Sequence, residues 1–210
     1  MNSARPSLVV ENDPFLRLLG VVLDLDTDPG RIAAFADFFA HDLPDFDGWL
    51  RQLRGRLPRL HPARVTLVDD ADELRAAIAG ADIAVVESLR IGEAELAAAP
   101  RLRAVQKYGA IAGNIDAAAC AARGIPLLTI RRRANIACAE HAFALMLALS
   151  RRIHDTGNRI SVAALQAAGF SPRTYDRRHT ANSNWARVPG IRLLHSTTLG
   201  IVGLGRIGRL

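Results

Sequence analysis

The residues with the most specific chemistry in this 210-residue chain lie at its end, in Thr198–Arg209, TLGIVGLGRIGR. The pattern is G-x-G-x-x-G directly after an apolar run. Gly203 allows a tight exit from a strand. Gly205 admits a diphosphate to the backbone with no side chain in the way, and Gly208 lets a following helix pack close to the strand. The N–H groups of Arg206 and Ile207, at the positive end of that helix, would carry the phosphates, with the Arg206 guanidinium adding charge. The chemistry implied is dinucleotide binding; an ordinary glycine-rich turn is the alternative that the pattern alone leaves open. The acidic residue that meets the adenosine ribose stands about 20 positions further on in such sites, past Leu210. NAD is therefore not distinguished from NADP at this position; NAD is the expected cofactor, with NADP not excluded.

Other reactive side chains carry weaker signals. Glu140 and His141 are neighbours on a helical pattern, point in different directions and read as structural. His41, His61, His154, His179 and His195 have no spaced partners and read as surface or loop residues. Cys120 and Cys138 sit in alanine-rich helical stretches and read as buried free thiols, which fits a reducing compartment. No spacing suggests a metal site.

The 27 basic and 21 acidic residues give a net charge of +6. The arginines are scattered, with short clusters at Arg131–Arg133, Arg151–Arg152 and Arg177–Arg178. No zinc-finger spacing or aromatic stacking motif accompanies them, so a solvated basic surface is expected rather than a nucleic-acid partner. No stretch approaches the roughly 20 apolar residues of a membrane span. Met1–Pro14 shows no cleavage signal, and a cytoplasmic location is expected.

The elements that must position these residues follow from the apolar pattern. Residues 1–16 read as a loose N-terminal extension and Leu18–Leu23 as a buried strand. Pro29–Ala40 has helical spacing, with Ile32, Phe35, Ala36 and Phe39 on one face. Asp45–Leu53 adds another helical turn or two, with Trp49 packing. From Arg64 strands alternate with helices: strands at Arg64–Val68, Asp82–Val86, Leu102–Gln106 and Pro126–Thr129, and helices at Asp70–Ala79, Glu93–Ala98 and Asp116–Arg123. This alternation implies a parallel sheet covered on both faces, α/β and doubly wound, and five such strands fit a flavodoxin-like domain ending near residue 130. Asn135–Ile153 is the longest helical pattern. It is nearly all apolar and is expected to be buried on all sides. Residues 154–196 read as a polar connection that is unusually long unless Val162–Ala168 forms a helix, and Thr198–Val202 as a strand leading into the glycine turn.

Three ordered blocks resemble the D-isomer-specific 2-hydroxyacid dehydrogenases: Leu102–Ile130 (LRAVQKYGAIAGNIDAAACAARGIPLLTI), Ala139–Leu149 (AEHAFALMLAL) and Thr198–Arg209. The resemblance implies a flavodoxin-like substrate-binding domain over residues 17–134. After it, 135–210 would hold the inter-domain helix, a linker and the truncated start of a Rossmann NAD-binding domain. It further implies an NAD(P)-dependent oxidoreductase acting on a D-2-hydroxy acid or its 2-keto acid, and a homodimer at full length. The substrate carboxylate would rest on backbone N–H groups of the loop Tyr108, Gly109, Ala110; the cofactor would rest on Gly203, Gly205, Arg206, Ile207 and Gly208. The family's catalytic arginine, glutamate and histidine are expected past Leu210. No catalytic residue is expected within the chain, which as a fragment is expected to be inactive alone. The family's loop commonly reads G-x-G-x-D-N-[IV]-D. Here Ile111 stands for the second glycine and Gly113 for the first aspartate, while Asn114, Ile115 and Asp116 match. A non-catalytic dinucleotide-sensing regulator of the same fold is the alternative, and turnover of 2-keto acids separates the two.

Overall fold

The computed structural model describes residues 5–159, 161–173 and 184–210; the arginine pair Arg177–Arg178 and His179 lie outside them. The chain divides into two compact units, Met1–Arg132 and Arg133–Leu210.

The first unit contains β1 (Ser7–Glu11), α1 (Leu18–Leu23), α2 (Pro29–Phe39), α3 (Phe46–Gly55), β2 (Arg64–Val68), α4 (Ala71–Ile78), β3 (Ile83–Val86), α5 (Glu93–Ala97), β4 (Ala104–Lys107), α6 (Ala117–Ala122) and β5 (Leu127–Thr129). The five strands form one sheet in the order β2-β1-β3-β4-β5, and every pairing is parallel. This is the flavodoxin-like order, and it reverses direction between β1 and β3. Right-handed crossovers then put α1–α3 on one face and α4–α6 on the other. The core records both faces: Leu8, Val10 and Val85 pack with Val21, Phe46 and Leu50, whereas Val9, Ala84, Val86 and Val105 pack with Leu74, Ile78, Leu96 and Cys120.

Two expectations need correction here. Leu18–Leu23 is a helix, and the central strand is Ser7–Glu11, inside the segment expected to be a loose extension. A six-residue apolar run satisfies burial as either element, so its periodicity decides nothing. In the helix Gly20 is packed closely: a Cβ there would lie 3.3 Å from Thr27 Oγ1 and 4.0 Å from Val65 Cγ1. SLVVE, by contrast, has the near-continuous apolar character of a strand covered on both faces.

The remaining elements of the first unit fall near their expected places, and capping explains several boundaries. The Asp70 carboxylate accepts from the amides of Asp72 at 3.0 Å and Glu73 at 2.9 Å, starting α4. Asp116 accepts from Ala119 N at 2.9 Å to start α6, and Gly124 ends that helix at φ +65°.

The second unit holds α7 (Ala134–Ser150), α8 (Ile153–Thr156) and α9 (Val162–Ala167). No residue of α7 is buried, and Ile136, Phe143, Leu145 and Leu149 are half or more exposed, so the expected burial on all sides does not occur. A helix apolar around its whole circumference needs apolar partners around all of it. Within this unit only Leu165 and Val188 are buried among the described residues. Cys138, on α7, is likewise exposed, against the expected buried thiol, whereas Cys120 is buried as expected. Thr198–Val202 forms no strand either. A parallel strand exists only by pairing with a neighbour, and every described strand lies in the first unit. Among the described residues no helix is long and apolar enough to cross a membrane.

Candidate substrate-carboxylate site

In parallel sheets of this kind ligands bind beyond the carboxyl ends of the strands, where the strand order reverses. Four strands deliver charged residues to that edge: Glu11 ends β1, Glu87 follows β3, Lys107 ends β4, and Arg132 follows β5.

Glu11 closes the switch point between β1 and β3. Its carboxylate accepts from the amides of Glu87 at 2.6 Å, Ser88 at 2.8 Å and Leu89 at 3.0 Å, and from the Ser88 hydroxyl at 2.5 Å. Burial pushes the Glu11 carboxyl up, but the Ser88 hydroxyl and these three amides together outweigh it and hold the group below the usual carboxylate range.

Lys107 is the only lysine of the chain and is buried to 6% exposure. A buried ammonium needs partners. Its Nζ donates to the Glu87 carbonyl and lies 3.9 Å from the Glu87 carboxylate. Arg132 binds the same carboxylate and also donates to the Tyr108 carbonyl, through Nε at 3.2 Å and through a second nitrogen. Its guanidinium carbon stands 4.3 Å from the centre of the Tyr108 ring, a cation–π contact. Two cations therefore share the Glu87 carboxylate.

Above them runs the loop after β4. The Tyr108 amide donates to Val86 O at 2.8 Å and the Gly109 amide to Lys107 O at 3.0 Å. Of the three expected loop residues, only Ala110 keeps its N–H without a partner. The amides of Ile111, Ala112, Gly113 and Asn114 are also unpartnered among the described residues. Successive unpartnered backbone N–H groups are the donors from which anion-binding concavities are built. The trans peptide fixes the direction of the first. The Gly109 carbonyl accepts from Ile130 N at 2.9 Å, so the Ala110 N–H of the same peptide points away from β5. Gly109 is held at φ +150°, where a Cβ would meet Lys107 Cε at 3.4 Å and Arg132 Nη2 at 3.7 Å. Asn114 anchors the far end: its side-chain amide donates to Leu89 O at 2.7 Å and its carbonyl accepts from Ile91 N at 3.0 Å.

Sequence reasoning found the loop but missed Glu11, Glu87, Lys107 and Arg132. The single lysine among 27 basic residues, placed at a strand end, was the available signal. His61 lies in a loop, as expected, with its Nε2 buried and without a hydrogen-bond partner among the described residues. A cavity of about 620 Å³ near it, lined by Arg5, Arg59 and Arg103, opens at the amino ends of β1, β3 and β4, away from this chemistry. Glu140 and His141 are both exposed on α7.

In the second unit, Gly203 adopts φ +92°, and a Cβ on Gly208 would lie 2.6 Å from the Gly203 carbonyl oxygen, so the glycine turn closes on itself. A Cβ on Gly205 would meet nothing within 4 Å, and the amides of residues 203–207 have no partner among the described residues. The expected strand before the turn and helix after it do not form.

Residues 56–181 match the family model of the D-isomer specific 2-hydroxyacid dehydrogenase catalytic domain. The chain belongs to this family. The D-3-phosphoglycerate dehydrogenase of Mycobacterium tuberculosis is 36% identical over 142 residues, which are 67% of this chain and 23% of that protein. Glyoxylate/hydroxypyruvate reductase B of Serratia proteamaculans is 28% identical over 140 residues, 67% of this chain and 38% of that protein. The chain thus spans well under half the length of these relatives. Among solved structures, a 2-hydroxyacid dehydrogenase from Ketogulonicigenium vulgare aligns with 99% of this chain and 50% of its own, at 20% identity and a TM-score of 0.49.

Proposed function

We propose that this chain supplies the carboxylate-binding loop and the glycine turn of an NAD(P)-dependent oxidoreductase that interconverts a D-2-hydroxy acid and its 2-keto acid. The observation that carries this reading is the run of five unpartnered amides, Ala110 to Asn114, beside Lys107 and Arg132. A carboxylate there gains charge-assisted hydrogen bonds from the backbone, next to two cations that share one counter-charge. A titration with oxamate, followed by 15N–1H spectra, is expected to move the amide signals of residues 110–114. Signals that stay still at millimolar oxamate would remove the carboxylate site.

Gly203, Gly205, Arg206, Ile207 and Gly208 would hold the diphosphate of the cofactor, and the nicotinamide, when bound, supplies the hydride. This chain's own part is to hold the acid by its carboxylate. Glu11, Glu87, Lys107 and Arg132 are each committed to a partner, and none is a free proton donor for the product hydroxyl. None of these four residues is proposed as the proton donor or as the carboxylate-orienting arginine of this family. The chain alone is expected not to consume NADH with glyoxylate, pyruvate or hydroxypyruvate. It is also expected to bind NADH too weakly to measure by fluorescence, because no strand and helix flank the turn. Turnover by the isolated chain would refute this division of labour. A homodimer belongs to the same reading and is read by sedimentation of a full-length protein.

A further inference from the structure

The loop after β4 keeps its five free amides only while its first two peptide planes are held, and Arg132 holds the first of them. The Tyr108–Gly109 peptide is fixed at both ends: its carbonyl accepts from Arg132 and its N–H donates to Lys107 O. The next peptide is fixed by Ile130 N on the Gly109 carbonyl, two residues before Arg132 on the same strand-end segment. The guanidinium is itself gripped on two further sides, by the Glu87 carboxylate and by the Tyr108 ring. A planar fork that stacks and donates at once is a task for arginine and not for lysine.

We propose that Arg132 is the positioning residue of this site, setting the orientation of the Tyr108–Gly109 peptide and so presenting the Ala110–Asn114 amides to a carboxylate. The role in ligand binding rests on the proposed function, whereas the role in fixing the loop does not. Arg132 stands behind the loop, bound to Tyr108 and Glu87, and acts through them. Loss of the guanidinium frees the Tyr108 carbonyl to turn, and the permissive backbone of Gly109 turns with it.

The test uses the whole chain with Arg132→Ala, Arg132→Lys and Glu87→Gln, and reads two things. In the ligand-free protein, exchange of the Gly109 and Ile130 amides is expected to quicken about tenfold or more in Arg132→Ala, as expected for loss of a charged hydrogen bond. The amides of β1 and β3 serve as the control for folding and are expected to keep their protection. Unchanged exchange at Gly109 and Ile130 overturns the proposal whether or not any ligand binds. In the oxamate titration, the dissociation constant is expected to rise about tenfold in Arg132→Ala and nearly as much in Arg132→Lys. Glu87→Gln is expected to fall between them and the natural chain. A lysine variant with natural affinity and natural exchange would show that charge alone suffices, and would also overturn the proposal. If oxamate fails to bind the natural chain while the exchange effect stands, the carboxylate reading falls and the positioning of the loop by Arg132 survives.

Discussion

Gly109 is the residue at which sequence, backbone and binding meet. At φ +150° an L side chain is strained whatever the space around it, and the nearest atoms belong to the two cations of the site. Gly109→Ala is expected to cost about 1–3 kcal/mol in urea unfolding and to weaken oxamate binding in parallel. Natural stability and affinity in that variant would show that the loop is not conformationally selected. Glu11 sets a pH dependence. Its carboxyl is held low in the folded chain by the Ser88 hydroxyl and the amides of residues 87–89 acting against burial. Glu95 is held low too, by the Gly92 amide first and Arg75 after it. A carboxylate with a depressed folded pKa contributes stability above its unfolded value of about 4.3 and loses it as pH falls through the folded value. The urea midpoint is therefore expected to fall as the pH drops below about 5. Glu11→Ala is expected to flatten that fall and to lower stability at neutral pH by about 3 kcal/mol, because it strands buried amides. A midpoint independent of pH in the natural chain would contradict this.

At the scale of elements, short polar side chains at helix starts do what their position in the sequence suggests. Asp70 satisfies two otherwise orphaned amides of α4, and that helix carries Leu74 and Ile78, both at 0% exposure, into the core. Asp70→Ala is expected to cost about 1 kcal/mol in thermal or urea unfolding. Asp70→Asn, which still accepts, should cost far less, and equal losses would assign the effect to charge instead. The opposite case is α7, whose composition demands burial that its own unit does not provide. Composition states what a helix requires of its surroundings, not what surrounds it. The misassignment of Leu18–Leu23 has a similar origin, since a short apolar run reports burial without reporting period.

The whole molecule carries its order unevenly. Among the described residues, the first unit has one sheet with a core on each face, while the second has three helices and few buried residues. Native-state hydrogen exchange is expected to show the strongest protection at β1, β3 and β4, the central strands, and little at residues 199–204, where Leu199, Ile201 and Val202 are exposed. Strong protection at 199–204 would mean that these residues pair as a strand after all. The site depends on this scale too, because Glu11 and Leu89, 78 positions apart, meet only where the strand order reverses.

The sequence by itself determined the alternation of strand and helix from Arg64 onward, the capping residues, the loop after β4 and the glycine turn. Each of these is written in local spacing, which is what periodicity and turn chemistry report. Tertiary structure alone decided that Ser7–Glu11 is the central strand. It also decided that Glu87, Lys107 and Arg132 share one charge network, and which loop amides stay free. Those outcomes depend on pairing between residues far apart in the chain, and a hydrogen bond from Arg132 to Tyr108 or from Ile130 to Gly109 has no signature in the spacing of either partner.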